Sequence, residues 1–353
     1  MTESKGRLRV GVVGVNNRIR RVILKGLAAS PRATVAAVCS RSLEKAAAAA
    51  AEYGGVPFDS YEAMLASGLI EAVVVETPPE LHHPMVMAAL AKGLAVACEK
   101  PLATSVAEAR EMEEAAKRAG ARTAVNFTYR STTLPRYFAE VIESDGVGEL
   151  LHFAMGYWQS RQLLPGTPPK DALEDLGPHA FDALRWWAGA AGAGEVVGVF
   201  SLKGAGKGDG PGSPPKADRG GTPDRPIWQG ILQMENGATG TMQISRVALG
   251  FANGVTAAFH GTKGAVSLAF DVDEGAVSLA RIGKVRPEGR WTPLQVPPEL
   301  AVSFEAFPAF HLDRIVGALR GEEVFPGFAE GRKVQEIQDA AARSAAEGQW
   351  VRL

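Results

Sequence analysis

Ala95-Val96-Ala97-Cys98-Glu99-Lys100-Pro101 is an apolar run that ends in an acid, a base and a proline. Four small or apolar residues bounded in this way predict a short buried β-strand. In an open parallel sheet, ligands bind outside the carboxyl ends of the strands, so Lys100 stands where chemistry is usually done. Pro101 fixes its own φ and pushes Lys100 into extended geometry, so the backbone sets the lysine's aim. A surface lysine closing a strand is the competing reading, and this stretch alone does not separate the two.

The same alternation repeats on either side. Leu8 to Val13 reads as a β-branched strand, followed by Gly14 and a helix from Arg20 to Ala29. Thr34 to Cys39 is a second strand. After it comes an alanine-rich helix, Leu43 to Tyr53, with Ser42 as N-cap and Gly54-Gly55 as stop. Ile70 to Glu76 is a third strand and His82 to Lys92 a helix ended by Gly93. Beyond the opening strand, Thr104 or Ser105 caps a helix to Arg118, and Arg122 to Phe127 is a fifth strand. Near-continuous apolar strands alternating with amphipathic helices imply a parallel sheet covered on both faces. The fold class is α/β, with a Rossmann-type doubly wound domain over residues 1–127.

From 128 to 353 the texture changes to an α+β domain. Leu134 to Ser144 reads as helix. Strand-like runs follow at Leu150 to Trp158, Val196 to Leu202, Ile227 to Met234, Thr239 to Ser245, Val255 to His260, Ala265 to Phe270 and Ala276 to Ile282. Strands joined without intervening helices predict a large, mostly antiparallel open sheet. A broad free sheet face predicts self-association. Lys203 to Pro226, rich in Gly, Pro and Lys, reads as an insertion that is either a mobile hairpin excursion or partly disordered. Two closing helices, Phe304 to Leu319 and Gly331 to Ala346, complete the chain, with Phe307, Phe310, Ile315 and Leu319 as core.

Composition narrows the partners. The 353 residues carry a formal net charge of -1, which gives no reason to expect nucleic acid or an anionic membrane. Two cysteines, Cys39 and Cys98, each inside an expected strand, argue against a disulfide framework or a cysteine metal site and fit a reducing compartment. With no apolar stretch long enough to span a bilayer, the expectation is a cytoplasmic protein without a metal.

A dinucleotide fingerprint, G-x-G-x-x-G, is expected between the first strand and its helix. Here the register reads Gly14-Val15-Asn16-Asn17-Arg18-Ile19, with only the first glycine present. Asn16 adopts left-handed backbone more readily than most residues, whereas Ile19 replaces the glycine that permits close helix packing. Arg18, Arg20 and Arg21 either add charge for a pyrophosphate or form a solvated helix face. At the end of the second strand, an acid favours NAD and an arginine NADP. Cys39-Ser40-Arg41-Ser42 has no acid, so Ser40 and Arg41 favour NADP, with NAD possible.

Asp175 and His179 are four apart, so a helix puts them on one face. Pro178 suits a first helical turn and Asp175 the positive end of the helix dipole. Such a pair is either a cap with a satisfied histidine or a catalytic pair.

Thr77-Pro78-Pro79-Glu80-Leu81-His82, Glu99-Lys100-Pro101-Leu102-Ala103, Tyr129-Arg130, Gly146-Val147-Gly148-Glu149-Leu150, Asp175-Leu176-Gly177-Pro178-His179 with Asp182, and His260-Gly261-Thr262-Lys263-Gly264 together resemble the Gfo/Idh/MocA oxidoreductases. The resemblance spans nearly the whole chain. It departs at the glycine-poor loop and at Pro169-Lys170-Asp171-Ala172, where many relatives carry a glycine cluster. It implies hydride transfer between a nicotinamide and a hydroxyl or carbonyl of a sugar, polyol or similar small molecule. His179 would serve as base, since histidine titrates near neutrality. Lys100 would hold the reacting oxygen, and Asp175 would orient His179 or a substrate hydroxyl. The dinucleotide would lie against Gly14, Asn16, Asn17, Arg18, Ile19, Ser40, Arg41, Thr77, Pro78, His82, Glu99 and Lys100. The substrate would meet Asn126, Tyr129, Arg130, Tyr157, Asp175 and His179. Two other outcomes stay open: glycoside elimination or hydrolysis with a transiently used nucleotide, and a nucleotide-sensing protein without turnover.

Overall fold

The computed structural model describes residues 6–167, 169–202, 225–273, 276–286 and 289–353. The insertion expected at 203–226 lies, up to residue 224, outside the described residues. The chain forms two compact units, Met1–Thr132 with Val302–Gln335, and Thr133–Ala301 with Glu336–Leu353. Where the sequence reading assigns everything after 127 to one domain, the closing stretch is divided between the two.

The first unit opens with β1 (Leu8–Val13), a helix whose first turn is π (Ile19–Leu24) and whose second is α1 (Lys25–Ala29), and β2 (Ala33–Cys39). Then come α2 (Leu43–Tyr53), β3 (Val56–Phe58), α3 (Tyr61–Ala66), β4 (Ala72–Val75), α4 (His82–Ala91), β5 (Ala95–Cys98), α5 (Val106–Ala119) and β6 (Thr123–Val125). The six strands pair in parallel in the order β3-β2-β1-β4-β5-β6, which reverses direction between β1 and β4. That reversal is the switch point at which such sheets bind ligands. Ser42, Ser60 and Ser105 cap α2, α3 and α5 by accepting from the amides of Lys45, Ala63 and Glu108. Sequence reading passed over β3 and α3 because both are short. Pro57 within β3 is tolerated because that strand is the sheet edge.

Ile19, feared as a packing fault, is 2% exposed and sits in the core with Val10, Val12 and Ile23. The wider π turn makes room for a side chain where the fingerprint has a glycine.

The second unit contains α6 (Thr133–Val141), β7 (Leu150–Trp158), α7 (Ala172–Ala190), β8 (Val196–Ser201), β9 (Ile227–Met234), β10 (Thr239–Ser245), β11 (Gly254–Gly261), β12 (Gly264–Asp273), β13 (Ala276–Val285) and β14 (Thr292–Pro293). Two helices, α8 (Phe307–Arg320) and α9 (Phe328–Glu347), and β15 (Val351–Arg352) follow. The nine-stranded sheet runs β14-β13-β12-β11-β7-β10-β9-β8-β15, antiparallel throughout except for the β7–β10 pair. Against one face, Trp187 of α7 meets Phe138 edge-on at 4.9 Å and Phe259 at 6.2 Å, and its indole N–H donates to the Pro135 carbonyl.

Asp171, not Asp175, caps α7, its carboxylate accepting from the Leu173 and Glu174 amides. The helix therefore begins earlier than expected and Pro178 falls inside it rather than at its first turn.

Helix α8 belongs to the first unit, where Leu312, Ile315, Val316 and Leu319 join the core of Ile23, Leu24 and Leu27. Its approach to α1 is close: a Cβ on Gly26 would lie 2.3 Å from the Pro308 carbonyl oxygen. Arg32 fixes it further by bonding Asp313 and Glu323, both at 2.6 Å. Phe307 and Phe310, expected in the core, are only half-buried, stacked on His311 and beneath Arg314 respectively. No described helix is long and apolar enough to cross a membrane.

Candidate active site

Parallel strands in register end in a row. Val13 pairs with Val75, Val75 with Cys98, and Cys98 with Val125. The residues one step beyond, Gly14, Glu76, Glu99 and Asn126, therefore line up along the carboxyl edge. Amide bonds of 2.8–2.9 Å from Glu76, Glu99 and Asn126 to Val13, Val75 and Cys98 extend the ladder by that one residue. Gly14, at φ +103°, is the tightest point, because a Cβ there would lie 2.3 Å from the Glu76 carbonyl oxygen. Asn16 accepts the Ile19 amide on its side-chain oxygen at 3.0 Å and so caps the helix itself. Asn16, Asn17 and Arg18 are exposed.

The side chains of that row form one network. Asn126 donates its amide to Glu76 at 2.9 Å and to Glu99 at 2.6 Å. Arg18 donates to the same two carboxylates at 3.2 and 3.1 Å. The Asn126 carbonyl oxygen lies 2.7 Å from His311 Nε2, and Ser131 Oγ lies 2.8 Å from His311 Nδ1. Since Asn126 Oδ1 only accepts, Nε2 carries the hydrogen and Nδ1 accepts from Ser131. The imidazole is therefore neutral, and complete burial, then Arg314 and Arg18, lower its pKa to about 3. Burial and then the Glu99 charge push the Glu76 carboxyl up to about 8, against the opposing pull of Arg18.

This arrangement corrects several sequence expectations. Asn126, expected to face substrate, is 2% exposed and its amide is engaged within the network. Arg18 turns its guanidinium onto two carboxylates, and Arg20 pairs with Glu52 of α2, so neither is an open phosphate ligand here. His82 is fully buried, with Nδ1 2.8 Å from the Pro101 carbonyl and Nε2 2.9 Å from that of Thr77. It ties the loop after β4 to the loop after β5 rather than facing a ligand. Glu76 was missed, although its signal is the one Glu99 gives: an acid directly after an apolar strand.

Lys100, the second residue past β5, is half-buried and joins Pro101 through a cis peptide bond. At the end of β2, Ser40 is half-buried and Arg41 exposed. These groups fit a dinucleotide: a side-chain-free turn at the switch point and exposed loop donors, with Ser40 and Arg41 at the end of β2.

The second unit holds a separate polar cluster at the start of α7 and the carboxyl ends of β7 and β10. The parallel pairing sets Trp158 beside Ser245, which brings Gln162 and Arg246 together. Arg246 donates Nε to Gln162 at 3.1 Å and forms an ion pair with Asp175. Asp175 also receives Lys170 at 3.2 Å. His179, one turn along α7, has its ring centroid 6.5 Å from that of Tyr157. Tyr157 is 4% exposed and donates its hydroxyl to Asn253 at 3.0 Å, which makes it a wall of the cluster. Arg246 was not anticipated, since it meets Asp175 only through the packing of α7 against β10. Tyr129 is buried and Arg130 half-buried in the first unit, where the Arg130 carbonyl accepts from Arg314.

Two family descriptions match the chain: "Oxidoreductase family, NAD-binding Rossmann fold" over residues 8–127 and "Oxidoreductase family, C-terminal alpha/beta domain" over residues 165–353. A levoglucosan dehydrogenase of Pseudarthrobacter phenanthrenivorans is 28% identical over 321 residues, covering 80% of each chain. An inositol 2-dehydrogenase of Leifsonia xyli is 35% identical over 193 residues, which is 52% of this chain and 54% of that one. Among solved structures, an oxidoreductase domain protein from Kribbella flavida superposes with a TM-score of 0.82 at 24% identity over 99% of both chains. A levoglucosan dehydrogenase in complex with NADH and levoglucosan does so at 0.79 and 24% identity, over 98% of this chain and 99% of that one. With both of its domains matched, the chain belongs to the Gfo/Idh/MocA oxidoreductase family and carries its NAD-binding Rossmann fold.

Proposed function

We propose that the chain transfers hydride between a nicotinamide dinucleotide, NADP(H) in preference to NAD(H), and a hydroxyl or carbonyl carbon of a sugar, polyol or related small molecule. The observation that supports this best is the carboxyl edge of the first sheet, where the Gly14 turn, Glu76, Glu99 and Lys100 follow β1, β4 and β5. The relatives named above, dehydrogenases of levoglucosan and of inositol, favour the substrate class.

Gly14, Asn16 and Asn17 would hold the pyrophosphate, Ser40 and Arg41 a 2′-phosphate, and Thr77, Pro78, Glu99 and Lys100 the nicotinamide half. Bound there, the nicotinamide supplies the hydride acceptor or donor. The protein's part is the proton. His179 removes it from the reacting hydroxyl, and Lys100 donates to that same oxygen and stabilises its developing negative charge. Asp175, paired with Lys170 and Arg246, fixes the helix turn from which His179 projects. In the reductive direction His179 returns the proton. Tyr129, Arg130 and Tyr157 would bound the substrate.

Self-association as a dimer or tetramer would use the sheet face opposite α7. A groove of about 510 Å³ lined by Trp158, Leu202, Ile231 and Ala258 lies there. Titration of NADPH and NADH by fluorescence, then a carbohydrate panel followed at the nicotinamide absorbance band, tests the reading. Binding with turnover of a sugar or polyol supports it. Binding of neither nucleotide refutes it.

A further inference from the structure

The charge balance around Asp175 is unusual for a site that would take a neutral polyol. Three cations gather there. Arg246, with a side chain only 4% exposed, pairs with Asp175, and Lys170 reaches the other oxygen of the same carboxylate at 3.2 Å. Arg161 precedes Gln162, whose side-chain oxygen accepts from Arg246 Nε at 3.1 Å and whose backbone N–H donates to the Arg246 carbonyl at 3.2 Å. The like charges are felt: burial first, then Arg246 and Arg161, lower the Lys170 pKa, and burial followed by Arg161 lowers that of Arg246. Among the described residues, Arg161, Lys170 and Arg246 stand against the single carboxylate of Asp175 beside Tyr157 and His179. With Asp171, Glu174 and Arg225 counted in, one positive charge is left over. Asp171 is engaged in capping α7, and Glu174 faces Asp171 and Arg225.

Resting on the oxidoreductase reading, we propose that Arg161, Lys170 and Arg246 form an oxyanion subsite, so that the substrate is a sugar derivative bearing a carboxylate or a phosphate. An incoming oxyanion relieves the mutual repulsion of the cations and receives charge-assisted hydrogen bonds from exposed Lys170 and Arg161. Arg246, held by Asp175 and Gln162, sets the position of the oxyanion.

Calorimetric titration of the full chain with D-glucitol, D-gluconate and D-glucitol 6-phosphate tests the subsite without any turnover. These share a six-carbon polyol frame and differ in the charged group. At least one anion should bind ten-fold or more tightly than glucitol, with the advantage shrinking as salt rises. The better of the two anions identifies the oxyanion. In Lys170→Met and Arg161→Met, both altered at exposed positions, the preference should fall toward unity. Equal affinity for all three ligands, no binding of any, or an anion preference unchanged in both variants overturns the proposal. The absorbance assay run in parallel separates the two claims. Anion preference without nicotinamide turnover retains the subsite and rejects the redox reading, whereas turnover of neutral polyols with no anion preference does the reverse.

Discussion

Replacing Glu76 with glutamine should make the protein more stable at alkaline pH. Glu76 is 6% exposed and lies beside Glu99, so the folded state holds its proton up to about pH 8, against an ordinary value of 4.5. Between those limits the folded protein binds more protons than the unfolded chain, so stability falls as pH rises through the window. At about 1.4 kcal/mol for each pH unit, the accumulated cost is about 5 kcal/mol once both states are ionised. That is a large share of the ~5–15 kcal/mol that holds a typical domain together. Glu76→Gln keeps an acceptor for Asn126 and leaves Arg18 paired with Glu99. The variant should match the wild type near pH 5 and exceed it by several kcal/mol near pH 9. Calorimetric or denaturant unfolding from pH 5 to 9 provides the comparison. His311 works on the other side of neutrality. Its folded pKa of about 3 means that the unfolded chain takes the proton first, so stability is lost as pH falls below 6.5. Because both proteins retain His311, that limb cancels in the difference. Parallel pH profiles for wild type and variant would refute the argument that Glu76 is protonated in the fold.

Gly14→Ala places a Cβ 2.3 Å from the Glu76 carbonyl and should weaken NADPH binding at least ten-fold in a fluorescence titration; unaltered affinity would mean that the turn does not hold the cofactor. Arg41→Ala should erode the ratio of NADPH to NADH affinity, and an unchanged ratio removes this residue from cofactor choice. Leu312→Ala, at a fully buried position between α8 and the first sheet, should cost about 2–5 kcal/mol in unfolding free energy; a loss under 1 kcal/mol would show that the site collapses around the deletion.

Much of the first unit was legible because its strands are almost pure apolar runs, and such runs are buried on both faces of a parallel sheet. The capping serines at 42 and 105 marked two helix starts directly, since their hydroxyls have one local task. What escaped was non-local. The row of Glu76, Glu99 and Asn126 exists only through strand register. Arg18 reads as a loop cation until those carboxylates are placed beneath it. The start of α7 was misplaced because Pro178 suits a first turn equally well, whereas the competing cap, Asp171, is identified by its bonds to the next amides. Arg246 follows an ordinary amphipathic strand, and only the packing of α7 against β10 brings it to Asp175.

Hydride transfer with Lys100 and His179 handling the proton is tested most directly by following nicotinamide absorbance for wild type, Lys100→Met and His179→Ala. The substrate should be the best one from a panel of neutral and anionic sugars. Turnover by the wild type and a loss of two or more orders of magnitude in kcat for each variant are expected, with circular dichroism and thermal unfolding showing that the fold persists. Full activity in either variant, or no change in nicotinamide redox state with any sugar in the panel, would contradict this mechanism.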